Sequence, residues 1–119
     1  MLRVGVDIVS IERIEAFIDR YQTRGLRKFL NESEIALAKN PQSIAGFWAA
    51  KEACSKALRC GIGKELTFCD ILLSKDKKGA PLLRLVPEKL AYFKIQDLSL
   101  SISHDSGFAI AVVVASLQN

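Results

Sequence analysis

The hydrophobic period changes partway along this sequence, and that change narrows the possible folds more than any other feature. After a short β-branched run, Leu2 to Val9, apolar residues recur at three- and four-residue steps; beyond Phe68 they come in short runs and strict alternation. Ile11, Ile14, Ile18 and Tyr21 make one helical stripe, opened by Ser10 as N-cap with Glu12 in the first turn. Gly25 is expected to break that helix, and a short helical piece around Asn31 to Lys39 follows. Asn40-Pro41 sets a capping residue before a proline, opening a long helix to about Arg59 that Gly61 and Gly63 close. Phe68 to Lys75 and Leu82 to Val86 read as strands joined by a turn at Asp76-Lys77-Lys78-Gly79. Pro87 to Ile95 reads as a short helix. Asp97 to His104 alternates Leu98, Leu100 and Ile102 against serines, and after a turn at Asp105-Ser106-Gly107 the chain returns as an apolar strand, Phe108 to Ser116. Helices precede hairpins rather than alternating with strands, so the expected class is α+β.

The 119 residues suit one domain spanning 1–119. Half of them are hydrophobic and the net charge is only +4, which excludes disorder. The longest apolar run, Phe108 to Ala115, is far short of the ~20 residues a membrane span needs. Arg3 and Asp7 spoil the leading stretch as a signal-peptide core, so a soluble cytoplasmic chain is expected. The cysteines Cys54, Cys60 and Cys69 form no CxxC pair, and His104 is the sole histidine, too few ligands for structural zinc. Free thiols fit a reducing compartment.

Four constellations stand out. Asp7 interrupts a β-branched run where an unpaired carboxylate is costly to bury. It either caps or solvates a strand end, or is held there to bind a cation. Glu52 and Lys56 share a face of the long helix, one turn beyond Trp48. They read either as a surface ion pair or as part of a half-buried phosphate–metal site. His104 shares strand parity with Leu98, Leu100 and Ile102, and stands either as a hydrogen-bonded core residue or at the mouth of a pocket. Arg13, Arg20, Arg24 and Arg27 would line one side of a continuing helix, as a solvated face or as a docking surface for an acidic partner.

These residues also fall in a known order. Gly5-Val6-Asp7 near the start, Trp48 followed by Lys51-Glu52-Ala53 and Lys56, and Gly61-Ile62-Gly63 come first; the Gly79-x-Pro81 turn and Ser101-Ile102-Ser103-His104 follow. In this the chain resembles, end to end, the acyl-carrier-protein synthase branch of the 4′-phosphopantetheinyl transferase family. Phe47 stands where that branch usually carries Arg, which leaves one basic contact to phosphate missing or supplied elsewhere, and Trp48 replaces its usual Phe. The resemblance implies an antiparallel sheet with one long and several short helices. It implies transfer of 4′-phosphopantetheine from coenzyme A to a serine of apo-acyl carrier protein, releasing adenosine 3′,5′-bisphosphate in support of fatty acid biosynthesis. Asp7 and Glu52 would hold Mg²⁺; Glu52, Lys56 and His104 would be catalytic; Lys56, Gly61, Gly63, Pro81 and His104 would bind coenzyme A. Arg13, Arg20 and Arg24 would dock the acidic carrier. Glu52, a metal-bound water and the His104–Asp105 pair all remain open as the serine's base. A homotrimer with shared sites is implied as well, and Phe108 to Ala115, apolar on both parities, should be covered on both faces.

A basic RNA-binding module is the rival reading, allowed by a calculated pI of 9.1. It leaves Asp7 and Glu52 without a role, and the strands lack an interleaved aromatic–basic platform. Neither nucleic acid nor membrane is therefore expected as a partner.

Overall fold

The structure, a computed structural model, describes residues 1–119. Strand β1 (Leu2–Ser10) leads into helix α1 (Ile11–Leu26), the short α2 (Glu32–Leu37) and the long α3 (Pro41–Ala57). A 3-10 turn at Phe68–Asp70 precedes β2 (Ile71–Lys75) and β3 (Pro81–Leu85); α4 (Pro87–Tyr92), β4 (Ile95–Asp105) and β5 (Phe108–Leu117) complete the chain. Strands β1, β5 and β4 form an antiparallel sheet with β5 central, and β2 pairs with β3 in a separate hairpin. The α+β expectation holds.

The caps explain where the helices start. Ser10 accepts from the Arg13 N–H, Asn31 from that of Glu34, and Asn40 from that of Ser43, each taking an otherwise unpaired donor of a first turn. Helix α3 lies across the sheet on a carpet of small residues. Ala109, Ala111, Val113 and Ala115 of β5 are fully buried beneath Ala45, Ala49, Ala50, Ala53 and Ala57 of α3. At Gly5 the approach is closer still: a side-chain carbon there would collide with the Ala53 carbonyl oxygen and the Ala57 backbone nitrogen. A glycine is the only residue that lets β1 lie against α3 at that point.

Local departures from the sequence reading have physical causes. Helix α1 breaks at Gln22, which adopts φ 52° and ψ −145°, and not at Gly25. Gly25 is instead buried in the last turn, where a Cβ would stand 2.6 Å from that of Tyr21. Phe68 leads a 3-10 turn rather than a strand because Asp70 caps it, its carboxylate accepting from the Thr67 N–H at 2.8 Å. Helix α4 stops at Tyr92 because Lys94 takes a positive φ of 55°, freeing Ile95 to start β4. The long helix ends at Ala57, with Arg59 already at φ 61°. One face of β5 is covered by α3, but Phe108, Ile110 and Val112 on the other are exposed, so a single chain does not cover both. No helix is long and apolar enough to cross a membrane.

Candidate active site

Gly5 sets the position of Asp7. Two residues further along β1 on the same face, Asp7 stands beside α3 at the level of Glu52 and Lys56. The Lys56 ammonium donates to Asp7 Oδ1 at 2.9 Å, and the Asp7 side chain is only 14% exposed. Burial pushes the Glu52 carboxyl above its ordinary value, and the negative charge of Asp7 pushes it further; Lys56 and Arg13 pull it back. Two half-buried carboxylates that repel each other, with the Lys56 ammonium on one of them, make a group suited to binding charge. No third His, Cys, Asp or Glu joins them. The donor set suits a small hard divalent cation, which is commonly held by one or two carboxylates and completed by substrate phosphates and water.

His104 is exposed at the end of β4, with the Asp105-Ser106-Gly107 turn just beyond. Two adjoining clefts meet at its side chain. One, of about 190 Å³, is lined by Ser43, Phe47, Lys75, Gly79 and Pro81 among others. The second, of about 350 Å³, opens toward the start of α1, with Ser10, Glu12, Glu15 and Asp105 on its walls. Neither contains Asp7, Glu52 or Lys56. The chain thus brings Asp7, Glu52 and Lys56 together, and brings His104 and Pro81 together in a cleft that those three do not line.

The remaining expected residues are distributed around these centres. Gly61, at φ +68°, and Gly63 lie beyond the end of α3 and line neither His104 cleft; Gly61 N–H donates to Ser55 O at 3.3 Å and Gly63 N–H to Leu66 O at 2.8 Å. The arginine row is interrupted. Arg13 lies near enough to Glu52 to pull its carboxyl down, Arg20 lies over the Tyr21 ring at 5.3 Å, and Arg24 comes after the Gln22 break. Arg27 pairs with Glu32 at 2.8 Å.

An ion pair that supports α3 escaped the sequence reading. Lys51, next to Glu52 in the chain, is 1% exposed and donates to Glu34 Oε1 at 2.9 Å and to the Phe68 carbonyl at 3.0 Å. Glu34 is fully buried, and also accepts from the Asn31 N–H and, through Oε2, from the Leu73 N–H, each at 2.8 Å. Burial pushes the Lys51 ammonium down, and the Glu34 carboxylate opposes that shift. The spacing Asn31-x-x-Glu34 ahead of an apolar residue is the capping-box signal that could have pointed to Glu34. Trp48 packs edge-on against Phe29 at 5.1 Å and tilted on Phe68 at 5.4 Å, so the motif aromatic holds α3 against the 3-10 turn.

A half-buried carboxylate pair beside a lysine suits phosphate chemistry, and comparison with known proteins points the same way. The model of the 4′-phosphopantetheinyl transferase superfamily matches residues 3–113. The chain is 61% identical over 117 residues to the holo-[acyl-carrier-protein] synthase of Helicobacter pylori, covering 98% of each. It is 62% identical over 110 residues to that of Wolinella succinogenes, covering 92% of this chain and 93% of the relative. Among solved structures, the Helicobacter pylori synthase in complex with coenzyme A superimposes with a TM-score of 0.93 at 60% identity, over 95% of this chain and 99% of that one. The Neisseria meningitidis synthase gives 0.86 at 30% identity, over 96% and 97%. The chain belongs to the 4′-phosphopantetheinyl transferase superfamily, in its holo-[acyl-carrier-protein] synthase branch.

Proposed function

We propose that this chain transfers the 4′-phosphopantetheine arm of coenzyme A to a serine hydroxyl of apo-acyl carrier protein, releasing adenosine 3′,5′-bisphosphate. The reaction is a displacement at phosphorus, in which positioning and charge neutralisation do most of the work. One observation carries the reading: Asp7 accepts from the Lys56 ammonium and lies near enough to Glu52 to raise its carboxyl, within the stretch that the superfamily model matches. Asp7 and Glu52 would hold Mg²⁺, whose chemistry is to polarise the phosphoryl oxygens and offset their charge. Lys56, on the exposed side of that pair, would neutralise charge on the coenzyme A pyrophosphate. Gly61 and Gly63, just past the same end of α3, leave open backbone where the donor can approach: a side-chain carbon at either would meet nothing within 4 Å. His104 and Pro81 would hold the donor from the cleft that they share. Arg13, Arg20 and Arg24 would dock the acidic carrier, acting on encounter rather than on displacement.

The working form is read as a homotrimer. The outer sheet face presents Val4, Val6, Ile8, Phe108, Ile110 and Val112 to solvent, an apolar surface that an isolated chain would not keep bare. The His104 clefts, which the carboxylate pair does not line, would then be completed across subunit boundaries. The enzyme would act in the cytoplasm, supplying activated carrier for fatty acid biosynthesis. Transfer of labelled pantetheine from coenzyme A to apo-carrier, with and without Mg²⁺, tests the reading; no transfer under any condition would refute it.

A further inference from the structure

Arg59, where α3 gives way to the Gly61–Gly63 loop, holds a backbone conformation that a side chain disfavours, with φ at 61°. The hydrogen bonds that close the helix fix it there. Its N–H donates to Lys56 O at 3.0 Å, and the Cys60 N–H donates to Ser55 O at 3.2 Å. Glycine commonly stands at that place in such a helix end, because left-handed backbone strains any residue with a Cβ. Nothing inside the chain compensates for an arginine there: it is exposed and belongs to none of the ion pairs. Its place on the helix is a second observation. Leu58, at φ −84° and ψ −1°, keeps the Arg59 Cα on the helical path. Around the axis that Cα comes within ~20° of Glu52 and ~60° of Lys56, and along the axis it lies ~4.5 Å beyond Lys56. Arg59 is therefore the next cation on the edge of α3 that carries the carboxylate–lysine group. Lys56 is already bonded to Asp7 at 2.9 Å, whereas Arg59 is free. Past it, Gly61 and Gly63 leave the approach open.

Resting on the proposed transferase reading, we infer that Arg59 binds the pyrophosphate of coenzyme A, as an uncommitted cation one step along α3 from Lys56. The pyrophosphate carries the phosphorus that reacts, so it belongs at the carboxylate–lysine group and within reach of the same helix edge. A guanidinium suits it better than a second ammonium would. Two parallel N–H groups match two phosphoryl oxygens, and the planar fork fixes their orientation as well as offsetting their charge.

Steady-state kinetics and thermal melts of Arg59→Gly, with Lys94→Gly as a matched control, test this. Lys94 is also an exposed cation in left-handed backbone, at φ 55°, but it follows α4. Glycine relieves the strain at both positions, so neither variant should melt below wild type. In Arg59→Gly, KM for coenzyme A should rise about tenfold, the loss expected for one charge-assisted phosphate contact. Inorganic pyrophosphate should weaken by the same factor as an inhibitor competing with coenzyme A, and KM for the carrier should not move. Arg59→Lys keeps the charge without the fork and should recover part of the loss. Lys94→Gly should match wild type in all three constants. An unchanged KM for coenzyme A, undiminished pyrophosphate inhibition, a rise confined to the carrier, an equal rise in Lys94→Gly, or an Arg59→Gly protein that melts well below wild type would each overturn the assignment. Wild-type protein inactive with coenzyme A would instead overturn the transferase reading itself, which keeps the two failures distinct.

Discussion

Gly5 touches helix α3 so closely that its missing side chain is the space in which the Ala53 carbonyl oxygen lies. The first motif is thereby a mechanical statement as well as a chemical one. Glycine brings β1 down onto the helix, and the residue two positions on, Asp7, arrives at Lys56 and Glu52. Gly5→Ala should push the strand away. Overpacking against backbone atoms is expected to lower stability by about 3 kcal/mol or more, and to lower Mg²⁺-dependent transfer even where the protein remains folded. Chemical denaturation beside a transfer assay checks both; wild-type values for each would show that the contact is not needed.

Glu34 and Lys51 form the second support of the site, from the opposite side of α3. Glu34→Ala would leave a buried ammonium without its counter-ion and should destabilise the protein by about 3–5 kcal/mol in urea unfolding. Replacing both residues together, Glu34→Leu with Lys51→Met, should recover much of that loss, because no unpaired charge is then buried. A single mutant as stable as wild type would remove the pair from the account of how α3 is held.

Glu52 should be a liability to the fold and an asset to the reaction. Its pKa is raised in the folded protein, first by burial and then by Asp7. The folded state therefore holds a proton that the unfolded chain has already released, so stability falls as pH rises through the carboxylate range, and the deficit is complete above it. Glu52→Gln should raise the melting temperature at pH 7 by a few degrees at most. The gain should vanish near pH ~4, where both side chains are neutral. A lower melting temperature at pH 7 would contradict this sign.

Val6, half exposed on the outer face of β1, tests the assembly. If that face joins three copies, sedimentation should give three times the 13.1 kDa chain mass. Val6→Glu should then shift the protein toward single chains and lower transfer, since a charge cannot be buried there without a partner. A wild-type monomer with full activity would refute shared sites.

Much of this architecture was legible in the residues. Ser10, Asn31 and Asn40 begin their helices where such caps should, and the serine alternation of β4 marks its exposed face. Asp7 and Glu52 were picked out as charges in apolar company and lie half-buried, whereas Lys56, picked out with them, is exposed. What failed to show in the sequence was tertiary. The break in α1 falls at Gln22, a residue with no intrinsic preference for positive φ, while Gly25 serves packing against Phe17 and Tyr21. Glu34 and Lys51 are 17 positions apart and look like ordinary surface charges until α2, α3 and β2 are folded together. Lys75 read only as the last residue of a strand, and the hairpin's placement beside His104 gives it a cleft to line.

The central claim is that the Asp7–Glu52 pair, held beside Lys56, is the metal–phosphate centre of a phosphopantetheinyl transferase. Its most direct test follows labelled pantetheine from coenzyme A into apo-acyl carrier protein, using wild type, Asp7→Asn and Glu52→Gln across a Mg²⁺ titration. Both substitutions keep side-chain shape and remove an anionic oxygen ligand. The expected result is Mg²⁺-dependent transfer by wild type and, in folded Asp7→Asn and Glu52→Gln, losses of about a hundredfold or more that excess Mg²⁺ does not restore. Wild-type rates in either variant, or a wild-type rate indifferent to removal of Mg²⁺, would contradict it.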